Sequence, residues 1–72
     1  MKQFTIYDFT GYGQREIKNI TASNGKQALI TFQKQNAFNL PAKFFKIEKC
    51  SNKKDWRMYN GYGQDYIAIE TK

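Results

Sequence analysis

The sequence predicts an α+β domain in which a single helix packs on a mostly antiparallel sheet. Five short segments rich in β-type residues are separated by turn signals. One segment alone has a helical period and a capping signal. The 72 residues leave room for one domain, 1–72, with one core. A lone helix across one face of a sheet is the simplest two-layer arrangement for such a set.

Lys2 to Phe9 alternates so that Phe4 and Ile6 share one face, while Thr5, Tyr7 and Phe9 make the other face aromatic. Gly11-Tyr12-Gly13 then signals a turn. Gln14 to Ala22 returns as the second strand. Its Ile17 and Ile20 are three apart, which breaks the period and predicts a bulge near Lys18 or Asn19. Ser23-Asn24-Gly25 starts the helix, with Gln27 three after Asn24 as in a capping box. Ala28, Leu29 and Phe32 form its buried stripe, Lys26, Gln33, Lys34 and Gln35 face water, and Asn36 is the stop signal. Pro41 favours an extended connection. Lys43 to Cys50 is the third strand, with Phe45 and Ile47 inward and Phe44, Lys46 and Glu48 outward. Ser51 to Asp55 is a polar turn. Trp56 to Asn60 and Asp65 to Thr71 flank Gly61-Tyr62-Gly63 as a second hairpin, with Ile67 and Ile69 inward.

The resulting order is ββαβββ. Its first half, a hairpin, a helix and a strand returning to the sheet, resembles the β-grasp fold in outline. The resemblance rests on element order and length, and an αβ sandwich of another strand order fits the same pattern.

An internal repeat is the most specific feature of the chain. Gly11-Tyr12-Gly13-Gln14 recurs as Gly61-Tyr62-Gly63-Gln64, with Phe9 and Tyr59 two before the first glycine and Ile17 and Ile67 three after the glutamine. Two similar hairpin turns account for the pattern. A further expectation is that the turns display Tyr12 and Tyr62 as matched contacts. The repeat is not a dinucleotide fingerprint: Glu16 and Tyr66 stand where its third glycine would be, and each segment leads into a strand.

Charge is uneven. The formal net charge is +6. Residues 41–57 carry six basic side chains (Lys43, Lys46, Lys49, Lys53, Lys54 and Arg57) against Glu48 and Asp55, so +4 of the total falls there. Phe44 and Trp56 are interleaved with these cations. Such a surface suits nucleic acid, because cations neutralise phosphates and release counterions while rings stack on bases. Lysine outnumbers arginine ten to two and valine is absent. This bias fits an AT-rich coding sequence as well as selection for charge, and a lysine-rich edge strand also resists aggregation.

Several classes are excluded. The chain has no histidine and one cysteine, so the usual general base, metal site and internal disulfide are missing. The acidic residues are scattered, with no pair for acid–base work. Cys50 has Lys49, Lys53 and Lys54 nearby, which would lower its pKa, yet it has no catalytic partner. No catalytic residue, metal or cofactor is therefore expected. No run is apolar enough for a membrane span, and Met1-Lys2-Gln3-Phe4 lacks a signal-peptide core, so a cytoplasmic protein without a membrane partner is expected. The first expectation is a small basic protein that binds nucleic acid with low sequence specificity through Lys43, Phe44, Lys46, Lys53, Lys54, Trp56 and Arg57, with Tyr12 and Tyr62. The alternative is a protein-interaction module, such as a phage or mobile-element accessory protein or inhibitor that docks a host protein. Homodimerisation through the aromatic outer face is compatible with both.

Overall fold

The computed structural model describes residues 1–9, 13–36, 45–61 and 63–71. Its elements are β1 (Lys2–Asp8), β2 (Arg15–Ala22), α1 (Gly25–Gln35), β3 (Lys46–Lys49), β4 (Trp56–Tyr59) and β5 (Asp65–Glu70). They form one helix on a five-stranded sheet of order β2-β1-β5-β4-β3, with every neighbouring pair antiparallel. The expected α+β class and ββαβββ order hold. After the helix the chain enters at the far edge and returns to the centre as a three-stranded meander. Of the β-grasp-like outline, the structure carries the element order alone.

The helix is set by its ends and its stripe. Asn24 is the N-cap, and its side-chain oxygen accepts from the Gln27 amide at 2.9 Å. Asn36 closes the last turn, its amide donating to the Phe32 and Gln33 carbonyls. Ala28, Leu29 and Phe32 are buried as the period predicts. They meet Phe4 and Ile6 of β1, Ile20 and Ala22 of β2, and Met58 of β4. Ile6, Leu29 and Met58 are fully buried. Each such side chain contributes about 1.5–3 kcal/mol. Phe32 and Tyr66 pack as tilted rings with centroids 5.2 Å apart, and Phe45 joins Tyr66 at 6.3 Å.

Two expectations need correction. Ile67 and Ile69 do not face the helix; Tyr66 and Ala68 are the buried pair of β5. Ala68 lies between Ile6 and Trp56 in the sheet, so it shares the helix side with them. The run Tyr66-Ile67-Ala68-Ile69 is apolar on both parities, so alternation could not choose the inner face. The bulge falls one residue earlier than expected. Ile6 pairs with Lys18 and Tyr7 with Glu16, which leaves Ile17 as the extra residue, 37% exposed.

Both repeated turns lie at the same end of the sheet. β1 and β5 are neighbours, and the Phe9 amide donates to the Asp65 carbonyl at 2.8 Å, where the first turn begins and the second ends. The hairpins differ in register at their turn ends: Tyr7 pairs with Glu16 past the bulge, whereas fifty positions on Arg57 pairs with Ile67 with no bulge. Gly13 and Gly63 occupy matched positive φ values of +81° and +91°. Turn chemistry therefore accounts for the third residue of each Gly-Tyr-Gly-Gln.

Candidate nucleic-acid interface

At the opposite end of the sheet, β2 runs into the helix cap and β3 turns into β4. The helix begins there against Trp56. A Cβ on Gly25 would sit 2.7 Å from the indole Cδ1, so glycine lets the first turn lie on the ring. Two ammonium groups flank the same half-buried indole. Lys49 Nζ lies 5.7 Å from the ring centroid and Lys26 Nζ lies 6.0 Å from it. These distances are within reach of a cation–π attraction. The first turn of the helix carries no carboxylate, so the positive end of its dipole adds to the same field.

The β3–β4 turn extends this cluster. The Cys50 amide donates to the Asp55 carbonyl at 2.8 Å, and the Lys53 amide to the Cys50 carbonyl at 2.9 Å. The Asn52 side chain gathers the tip: its oxygen accepts from the Lys54 and Asp55 amides at 2.9 and 3.0 Å, and its amide donates to Asp55 Oδ2 at 2.7 Å. Lys53 sits at φ 60°, a left-handed conformation that costs a non-glycine residue about 1 kcal/mol. Lys53 and Lys54 are exposed at the tip. Asp55 is the one acidic residue of this turn, and one oxygen of its carboxylate accepts from the Asn52 amide.

The residues singled out in the sequence separate into groups. Lys53, Lys54 and Trp56 come together at the helix-start end. Lys46 and Arg57 belong to the face that the helix does not cover, because Lys46 pairs with Tyr59 and Arg57 pairs with both Glu48 and Ile67. Arg57 is committed there. Its Nε and Nη2 donate to the two Asp65 carboxylate oxygens at 3.0 and 2.9 Å, and its guanidinium stacks on Tyr59 at 4.4 Å. This bidentate bond holds the guanidinium pKa up. Lys43, Phe44, Tyr12 and Tyr62 lie outside the described residues.

Lys26 and Lys49 join the cluster without having been marked as site residues in the sequence. Lys49 shares the inward parity of Ile47, and that parity is the signal that puts it beside Trp56 on the helix side. Lys26 carries no local signal, since its position depends on the helix starting over β4. The Cys50 thiol is pushed up, first by burial and then by the Asp55 carboxylate, opposite to the lowering expected from nearby lysines. It is a protonated thiol near neutral pH. Among the described residues no group of histidine, cysteine and carboxylate side chains is placed to hold a metal ion. No described helix is long and apolar enough to cross a membrane. Comparison with family models, curated proteins and solved structures finds no match for this chain.

Proposed function

We infer that the protein binds single-stranded nucleic acid with low sequence specificity through the cluster of Trp56, Lys26, Lys49, Lys53 and Lys54. The observation that carries this reading is the pair of ammonium groups on one half-buried indole, beside a lysine turn whose acidic residue is already hydrogen-bonded. The lysines would neutralise successive phosphates, and the exposed part of the half-buried indole would offer a stacking surface to a base. Binding would follow backbone charge, because nothing in the cluster is placed to read base edges.

Fluorescence anisotropy with a labelled oligonucleotide tests this reading. Affinity should fall steeply with salt, and the double variant Lys26→Gln/Lys49→Gln should flatten the log–log salt slope by roughly 1.5. The intrinsic fluorescence of Trp56, the single tryptophan of the chain, should be quenched on binding. Absence of binding to both DNA and RNA at low salt would overturn it. A protein partner is the second reading, favoured by the helix-free face of the sheet, where the charges of Arg57 and Asp65 are already paired. A partner retained from lysate after nuclease treatment would support it.

A further inference from the structure

We propose that β3 and the β3–β4 turn form a local element that opens ahead of the rest of the sheet, and that a nucleic-acid strand seated on the lysine cluster closes it. The proposal rests on the nucleic-acid reading and adds a regulation of the same site, in which the ligand sets the order of one sheet edge.

The two edges of the sheet are unequal. β2 runs for eight residues beside β1, and its Ile20 and Ala22 are buried in the core under the helix. β3 has four residues and a single neighbour, β4. No residue of β3 is buried. Its apolar anchors are Ile47 and the preceding Phe45, and both are only partly covered. Elements with few buried apolar contacts and exposed backbone hydrogen bonds are the ones that open locally. The turn adds two opposing effects. Lys53 is held at φ 60°, a conformation that non-glycine residues populate sparsely. Lys49, Lys53 and Lys54 crowd the turn, with Lys26 across the indole, and Asp55 is the one carboxylate among them.

The same lysines decide which state a phosphate chain selects. In the closed hairpin Lys49 Nζ lies 5.7 Å from the Trp56 ring centroid, and Lys26 Nζ lies 6.0 Å from it. Detaching β3 from β4 breaks the pairing of Lys49 with Trp56 and carries this ammonium away from the ring. The cations are then dispersed, so phosphates meet a denser positive field in the closed state than in the open one. A ligand with such a preference shifts the population toward the closed state. Lysines that oppose closure in the free protein become the contacts that hold it closed, once phosphates neutralise them.

Amide hydrogen exchange read by NMR at low salt tests the proposal. The Cys50 amide donates to the Asp55 carbonyl at 2.8 Å, and the Asn60 amide donates to the Gln64 carbonyl at 3.1 Å. Each amide follows its strand and ties the base of its turn, so the two are matched probes of the β3–β4 and β4–β5 hairpins. In the free protein the protection factor of Cys50 should be lower than that of Asn60 by roughly tenfold or more. Oligothymidylate at about 100 times its dissociation constant should raise the protection of Cys50 by up to roughly 100-fold. Two measurements without ligand should act in the same direction. Lys54→Glu should raise the protection of Cys50 more than that of Asn60, and so should sodium chloride raised from about 0.01 M to about 0.1 M. Equal protection of the two amides in the free wild type would overturn the proposal. So would a folded Lys54→Glu variant that leaves Cys50 unchanged. A complex that forms with the expected salt dependence yet leaves Cys50 unchanged would overturn the coupling alone, and the nucleic-acid reading would stand. Oligothymidylate that does not bind at low salt would overturn that reading and the coupling with it.

Discussion

At the scale of single residues, Gly25 carries more of the design than its place at a helix start suggests. Helix propensity favours alanine over glycine by about 1 kcal/mol. The indole of Trp56 opposes that gain, because an added Cβ would meet Cδ1 at 2.7 Å and Cγ at 3.2 Å. These atoms lie at the stem of the side chain, so relieving the contact requires moving the whole ring. Gly25→Ala is therefore expected to destabilise the protein by up to about 2 kcal/mol, the usual cost of overpacking less the propensity gain. Denaturant unfolding measures the loss. A shifted emission maximum of Trp56 would identify the displaced indole as its cause, and a stabilised variant would show that the contact relaxes freely. Because Lys26 and Lys49 sit on this ring, the same substitution should also weaken oligonucleotide binding.

At the scale of elements, the repeated turns separate what is structural from what is chemical. Gly13 and Gly63 have φ +81° and +91°, and a Cβ at either would meet nothing within 4 Å. The need for glycine is one of backbone conformation. Alanine at either position is expected to cost about 1–2 kcal/mol, which lowers the melting temperature by roughly 4–16 °C for a domain of this size. Asparagine, which tolerates the left-handed region better, should cost less at both. Equal losses at the two sites would show that the hairpins are equivalent units. The hairpins themselves were legible in the sequence, because Gly-x-Gly between two β-type runs is a local signal. The helix was legible for the same reason, with Asn24, Ala28, Leu29, Phe32 and Asn36 each in the role that spacing assigns. The inner face of β5 was not legible, since both parities of Tyr-Ile-Ala-Ile are apolar and the choice depends on which strands flank it.

The same distinction governs the candidate site. Lys53, Lys54 and Trp56 were visible as a basic run interrupted by an aromatic residue. Arg57, one residue further, belongs to the opposite face, because strand alternation divides neighbours in sequence between the two sides of the sheet. Lys26 joins the cluster only through the path of the helix across the sheet, which depends on strand order and therefore on the whole fold.

At the scale of the molecule, charge is the term least balanced by structure. The chain carries +6 over 72 residues, and the ion pairs among the described residues include Arg57–Asp65 at 2.9 Å and Lys2–Glu70 at 3.6 Å. Lys2 and Glu70 are both largely exposed, so their pair contributes little. Lys26, Lys49, Lys53 and Lys54 meanwhile crowd one end of the sheet, where their mutual repulsion opposes folding. The screening length falls from roughly 30 Å at 0.01 M salt to roughly 10 Å at 0.1 M, about the dimension of that cluster. Sodium chloride should therefore stabilise the protein over this range, and a relief of about 1 kcal/mol would raise the melting temperature by roughly 4–8 °C. Lys54→Glu should raise the low-salt melting temperature and flatten its rise with salt, because it removes a repulsive charge at an exposed turn. A melting temperature that falls with added salt would mean that the ion pairs outweigh the repulsion. The lysine cluster would then lie too far apart to act as a single field on a phosphate backbone.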